Sequence, residues 1–352
     1  MNVAIGSSGR EATAVNESPA IPREGAVDTF RFVMAMMVIL LHLLPSNSDL
    51  PWSMPLWAVV PDAICRSAVP YFFIVSGYYF RDTRSPSENI ATIFKNLLPI
   101  YLFWSVVYLV IGSLSPVHWA FRPIMLLEGG YGFHLWFLPA LGFGIATLAI
   151  CLSIGGVWLA AIIAVGLAVI GPIAFSYHPL IGMQDYPSAL AHLQRQLAAP
   201  AFVLIGFLLR KAPQLDWKPC LMLAMLALAS LVMERWFVGI YLHNRAAINA
   251  DGLVFTFLLG TSVFLLARSL NQFRIVTRFA GWGAVSLAIY VSHLLYVWLF
   301  KAVIPMIPGR TPLMFLLTAI CAVTTSVWLI RIPIIRDFCT PPSARRRASS
   351  RT

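Results

Sequence analysis

Between Val27 and Leu44 the chain reads VDTFRFVMAMMVILLHLL, an apolar run long enough to cross a bilayer that nonetheless carries an aspartate, an arginine and a histidine. A charged side chain at the centre of a bilayer costs roughly 2.5–3.5 kcal/mol on insertion scales. Ionisable residues therefore persist in membrane spans mainly where they have partners or a task. At about 100° per residue, the eleven-residue step from Arg31 to His42 is close to three turns, and Asp28 lies one turn before Arg31. All three share one stripe, with roughly 16 Å of helix between Arg31 and His42. The run is expected to be a helix carrying a polar track through a membrane.

The remaining composition suits that reading. Hydrophobic residues make up 59% of the 352 and charged residues 11%, against about 45–50% and about 25% in soluble domains. Several further runs approach the length needed for about 30 Å of hydrocarbon. The expected fold is all-α, a polytopic membrane helix bundle with no separate soluble domain. The net charge of +11 is scattered over short loops, where it reads as a topology signal; no nucleic-acid partner is expected. Cys65, Cys151, Cys220, Cys321 and Cys339 sit singly, without metal or disulfide spacing, so no metal site is expected.

Residues 1–24 are polar and lack an apolar core, which marks a disordered tail rather than a signal peptide. After the first span, others are expected at about 63–80, 96–114, 134–154, 157–175, 198–209, 219–238, 252–269, 280–300 and 312–330. That makes about ten within a transmembrane domain of residues 25–331, followed by a basic tail at 332–352. The sixth is the weakest, because Pro200 interrupts its start. With the amino terminus cytoplasmic, that side collects Arg81, Arg84, Lys95, Arg210, Lys211, Lys218, Arg268, Arg274, Arg278 and the arginine-rich tail. The opposite side keeps only Arg122, Arg195, Arg235, Arg245, Lys301 and Arg310. The positive-inside rule then puts both termini in the cytoplasm, Arg31 near the cytoplasmic face and His42 near the outer one.

Two outer loops are polar or aromatic enough to meet an external partner. One holds His118, Glu128, Tyr131, His134 and Trp136; the other holds His178, Gln184, Asp185, Tyr186, His192 and Arg195. Interfacial Trp and Tyr are commonly headgroup anchors, although a flat aromatic beside a histidine is also how sugars are held. The second loop shows no spacing that assigns a role.

Four pieces in order carry a family resemblance: Arg31 and His42 spaced by eleven, VPYFFIVSGYYF followed by Arg81 and Arg84, HLWFLPAL from His134, and SLAIYVSH from Ser286 to His293. From about Asp28 to Ile330 the chain resembles the acyltransferase 3 family of membrane O-acyltransferases. The resemblance implies transfer of an acyl group, most often acetyl, from cytoplasmic acyl-CoA as co-substrate, with no bound cofactor. The acceptor would be a hydroxyl of an extracytoplasmic or lipid-linked polysaccharide, and the location a bacterial inner membrane. Some members carry an extracytoplasmic hydrolase-like domain; its lack here suggests a stand-alone enzyme or a separate transferase or assembly partner.

Acyl transfer to an alcohol requires the hydroxyl proton to leave as attack proceeds, and histidine is the side chain suited to that near neutral pH. His42 could equally accept the acyl group as a nucleophile. The catalytic candidates are His42, Arg31 and Asp28. Arg31 either faces the CoA entrance or pairs with Asp28 to hold the span in register. Arg81 and Arg84 are the donor-binding candidates, since guanidinium forks suit phosphates; their alternative role is topological charge. His134 and Trp136 are acceptor-side candidates under the resemblance. Ser286, Tyr290 and His293 fall on one helical face and join them, packing between helices being the competing role. A transporter or flippase of lipid-linked glycan using Asp28, Arg31 and His42 as a proton relay is a different class of function, and a non-catalytic partner in polysaccharide assembly is another.

Overall fold

The structure is a computed structural model of the chain. It describes residues 22–45, 56–114, 125, 132–183, 188–243, 252–307 and 309–340. Most of both tails, His118, Glu128, Tyr131, Gln184, Asp185, Tyr186 and the side chain of His192 lie outside the described residues.

The described residues form helices and turns, with no strand among them. The longer helices are α1 (Gly25–Leu41), α2 (Leu56–Cys65), α3 (Ala68–Tyr78), α4 (Pro86–Ser113) and α5 (Phe137–Phe175), then α6 (Ser188–Leu209), α7 (Trp217–Trp236), α8 (Val254–Ser269), α9 (Ser286–Val303) and α10 (Arg310–Leu329). Seven helical stretches among the described residues are long and apolar enough to cross a membrane; Arg195–Leu209 is a shorter apolar helix. One of the seven, His134–Phe175, is far longer than a single crossing needs. It breaks at Gly156, whose φ of 68° and ψ of −160° belong to a region that essentially only glycine occupies.

Local chemistry explains several boundaries. The Ser85 hydroxyl accepts from the Glu88 N–H while the Glu88 carboxylate accepts from the Ser85 N–H, and Pro86 occupies the first turn; this capping box starts α4. The start of α8 is capped from another helix. Glu234, at the end of α7, accepts from the N–H groups of Val254 (2.6 Å) and Phe255 (2.8 Å) and from the Tyr177 hydroxyl. The two N–H groups are backbone donors that a helix leaves orphaned at its first turn. The second apolar stretch differs from expectation: residues 56–62, expected in a loop, are helical, and the chain turns at Arg66 and Ser67 between α2 and α3. Asp62 and Arg66 thus stand on or beside a membrane helix rather than at its rim.

The core lies where α1, α3, α6, α8 and α9 meet the start of α5, around Tyr71, Phe73, Phe137, Phe202 and Phe264. Outward faces are apolar: Trp158 on α5, Met222 and Met225 on α7, and Ile320 on α10 are exposed. An apolar exterior of this extent suits contact with lipid. Because lipid tails are as apolar as leucine, the interior must be held by close packing and polar bonds. At the α3–α6 crossing a Cβ on Gly77 would sit 1.9 Å from the Val203 carbonyl oxygen, and one on Gly206 would sit 2.0 Å from that of Ile74. The start of α1 is tied by the Tyr71 hydroxyl donating to the Val27 carbonyl (2.8 Å). There too, Tyr78 donates to Glu24 (2.6 Å), which pairs with Arg268 (3.3 Å).

Candidate active site

Two cavities open into the bundle from opposite ends of the same helices. The first, about 370 Å³, is lined by Arg23 and Arg31 around the start of α1, by Ser76 and Tyr79 at the end of α3, and by Arg81 and Arg84 in the following turn. Asn89, Thr92 and Asn96 of α4, Ser286 and Tyr290 of α9, and an apolar wall including Phe72, Phe137 and Leu141 complete it. The second, about 230 Å³, is lined by Val38, Leu41 and His42 at the other end of α1, by Asp62, Cys65, Arg66 and Val69, by His134 and Trp136, and by Arg195 and Tyr290. Along α1, around the α2–α3 turn and from His134 into α5, the residues divide cleanly between the two. Tyr290 lines both.

Around Tyr290 the aromatic and imidazole rings are packed together. Its hydroxyl donates to the His134 carbonyl. That carbonyl lies in the tight Phe133–Trp136 turn ahead of α5, before α-helical bonding begins. His293, one turn on from Tyr290, is fully buried; its Nδ1–H donates to the Tyr290 carbonyl (2.7 Å). Its ring stacks on His42 at 5.2 Å and meets His134 edge-on at 5.0 Å. A neutral imidazole that donates through Nδ1 presents Nε2 as an acceptor. Three histidines from three elements therefore come together beside Tyr290; His42 and His134 line the second cavity, and His42 lies at the end of α1 as its C-cap.

The charges are arranged in shared pairs. Asp28 is buried and holds two guanidiniums, Arg23 through Oδ2 (3.1 Å) and Arg31 through Oδ1 (3.2 Å). Gly283 lets the turn before α9 approach here, since a Cβ on it would lie 2.4 Å from the Asp28 carbonyl oxygen. At the other end Asp62 holds Arg66 (2.9 Å) and Arg235 (2.7 Å), with Arg235 reaching in from α7. Arg195 lies over the Trp136 ring at 5.4 Å. Chemically, the first cavity offers cations to an anionic group beside an apolar channel. The second offers imidazoles able to take and give a proton, beside an aromatic surface.

The sequence pattern of the acyltransferase 3 family, described as an acyltransferase domain, matches residues 24–331. The chain belongs to the acyltransferase 3 family. It is an integral membrane protein with an acyltransferase domain over nearly its whole length. Among curated proteins it is similar to a serine/alanine racemase of Enterococcus gallinarum, 27% identical over 76% of this chain and 40% of that protein. It is also similar to an amino-acid racemase of Enterococcus faecalis, 22% identical over 88% of this chain and 46% of that protein. The chain thus spans less than half the length of these relatives. No solved structure matches.

Within this acyltransferase domain the residues singled out from sequence divide between the cavities. Asp28 and Arg31 are paired, and Arg31 also lines the first cavity beside Arg81 and Arg84. His42, His134 and Trp136 share the second cavity. Ser286 lines the arginine-bearing cavity instead, with its hydroxyl given to the Gly283 carbonyl (2.9 Å), while His293 sits behind His42 rather than in either lining. Sequence reading missed Arg23 as a cavity residue, and missed Asp62 and Arg66. The i,i+4 spacing of Asp62 and Arg66 was the available signal, hidden by placing Asp62 in a loop.

Proposed function

We propose that this acyltransferase moves an acyl group, most simply acetyl, from cytoplasmic acyl-CoA to a hydroxyl of an extracytoplasmic or lipid-linked polysaccharide. The observation that carries the reading is the convergence of the two cavities on Tyr290. A donor bearing phosphates cannot cross hydrocarbon unaided, so its charged end must stay at one face while its thioester reaches inward. The first cavity supplies guanidiniums at its outer part and an apolar wall leading to Tyr290, which suits a charged head followed by a thinner arm. His42 waits on the far side of Tyr290. The acceptor oxygen attacks the thioester carbonyl, the carbon–sulfur bond breaks, and the proton taken by His42 passes to the departing thiolate. In the two-step form His42 takes the acyl group first and then yields it to the hydroxyl. Trp136 and His134 would face the acceptor.

The same proposal includes about ten crossings of a bacterial inner membrane with both termini in the cytoplasm. Loop charge supports it, as do the break at Gly156 and the presence of helices at Gly25–Leu41 and Arg195–Leu209. The racemase names stay with the longer relatives.

The test uses purified protein in lipid nanodiscs with radiolabelled acetyl-CoA and membrane glycan as acceptor. Wild type should release CoA and label the glycan. His42→Ala and His42→Gln should lower the rate by roughly 10²–10⁴ at equal abundance, the usual worth of positioned acid–base catalysis. Wild-type rates from His42→Ala would return His42 to packing. Glycan translocation without CoA release would favour the transporter.

A further inference from the structure

When a nucleophile adds to a thioester, the carbonyl oxygen gains negative charge, and in a site closed to water that charge needs a hydrogen-bond donor already in place. His42 serves the proton; the oxygen needs a donor of its own. The donors beside the junction of the two cavities differ in what holds them. Ser286 gives its hydroxyl to the Gly283 carbonyl (2.9 Å), and the His293 Nδ1–H goes to the Tyr290 carbonyl (2.7 Å), each a local bond three residues back. Tyr290 is set differently. It is 3% exposed, its ring lies 5.4 Å from those of both His134 and Phe137, and its hydroxyl crosses to another element to donate to the His134 carbonyl. Among the described residues it alone lines both cavities. Along α9 it stands between Ser286, in the first cavity, and His293, against His42. A thioester moving from the first cavity to His42 therefore passes the phenol, which is also a stronger donor than the aliphatic hydroxyl of serine.

We infer that Tyr290 is a catalytic residue, the donor that stabilises the oxyanion of the transfer, an inference that rests on the acyl-transfer reading. In the resting protein its hydroxyl is held by one carbonyl oxygen; in the reaction it turns to another, that of the thioester. The exchange is of like for like, so the hydroxyl stays desolvated and oriented until it is needed. In the direct form the acceptor oxygen adds to the carbonyl carbon, the carbonyl electron pair moves onto its oxygen, and Tyr290 donates to that oxygen while keeping its proton. When the pair returns, the carbon–sulfur bond breaks and the thiolate takes the proton that His42 received from the acceptor. In the two-step form the His42 nitrogen adds first, and the proton on its other nitrogen follows the thiolate. The acceptor hydroxyl then adds to the acyl carbon and returns a proton to His42. The same donor serves both additions, because each places charge on the same oxygen. Tyr290 forms no covalent bond and holds no part of the carrier, so its loss should change the chemical step and leave donor binding alone.

The experiment compares wild type with Tyr290→Phe, each as the full chain in nanodiscs, by acetyl transfer from acetyl-CoA, calorimetric binding of CoA and thermal midpoint. Phenylalanine keeps the ring among His134, Phe137 and His293 and removes the hydroxyl. Tyr290→Phe should lower kcat by roughly 10²–10³, as loss of one oxyanion donor does. CoA affinity should stay within about twofold of wild type, the split expected of a contact made only in the transition state. The midpoint should fall by a few degrees at most, the worth of one hydrogen bond. A series of fluorotyrosines in place of Tyr290, which keep the ring and the hydroxyl, should transfer faster as the phenol becomes a stronger donor, as long as it stays protonated. A wild-type kcat in Tyr290→Phe overturns the inference. So does a lower kcat that comes with lost CoA affinity and a larger fall in midpoint, because the phenol would then be a tie between α9 and the turn ahead of α5. Should Tyr290→Phe fail to fold, the fluorotyrosine series decides, and a flat rate across it overturns the inference. Active wild type with an indifferent Tyr290→Phe leaves the acyl-transfer reading standing. Folded wild type that transfers no acetyl brings down that reading and the inference with it.

Discussion

Asp62 faces Arg66 and Arg235 with its own side chain only 3% exposed and that of Arg235 only 2% exposed. A charge in such a place is tolerable only with its partner, since removing one member of a buried pair costs about 3–5 kcal/mol. Asp62→Asn keeps the shape and removes the charge that both guanidiniums share. It should lower the thermal midpoint and the membrane abundance of the protein by an amount consistent with that loss. A thermal-shift measurement in detergent checks it, and an unchanged midpoint would show that the pair is not needed for stability. The Asp28 cluster differs in being half open to its cavity, with Arg23 36% exposed, and solvent weakens such pairs. At this scale the sequence was legible where partners are close. Asp28 and Arg31 are three residues apart and pair as their spacing suggests, whereas Arg235 lies far along the chain from Asp62.

Helices here meet through small residues and backbone. At the α3–α6 crossing Gly77 and Gly206 each face a carbonyl of the other helix, and a methyl group at either place would enter backbone rather than a movable side chain. Gly206→Ala should therefore force the helices apart, at a cost of roughly 1–3 kcal/mol typical of overpacking. Because α3 carries Ser76 and Tyr79 into the first cavity, activity should fall with stability. The check is folded yield by size exclusion, with a fully stable Gly206→Ala variant counting against the close crossing. Most helix positions were readable from hydropathy, and the expected split between 154 and 157 falls at the Gly156 break; the start of α4 was not, because the span expected from about 96 begins at Pro86, ten polar-rich residues earlier. The α2–α3 turn was not, because residues 56–65 include Asp62 and a proline at 61 that read as loop chemistry until Arg66 and Arg235 neutralise the acid in space.

Across the whole molecule, the arrangement that matters is two cavities reached from opposite ends and parted at Tyr290. If the arginine-bearing end faces the cytoplasm, Ser87 beside it and Met306, in the turn after α9, lie on opposite sides of the membrane. Both are exposed. In intact cells an impermeant maleimide should label Met306→Cys and spare Ser87→Cys until the membrane is opened. Labelling of Ser87→Cys from outside would invert the proposed donor and acceptor faces.

By itself the sequence determined that this is an all-helical membrane protein, that its first helix carries ionisable residues on one stripe, and which family it resembles. Apolar length and helical period are local properties, and they survive without knowing any partner. Only the tertiary structure decided that the stripe is divided between two cavities, that Arg23 belongs to one of them and Ser286 to the same one, and that His293 backs His42. Those relations join residues of α1, α3, α5 and α9 that no spacing connects. They exist because helices in lipid gain stability from close packing and shared polar contacts across the bundle, which the order of residues does not display.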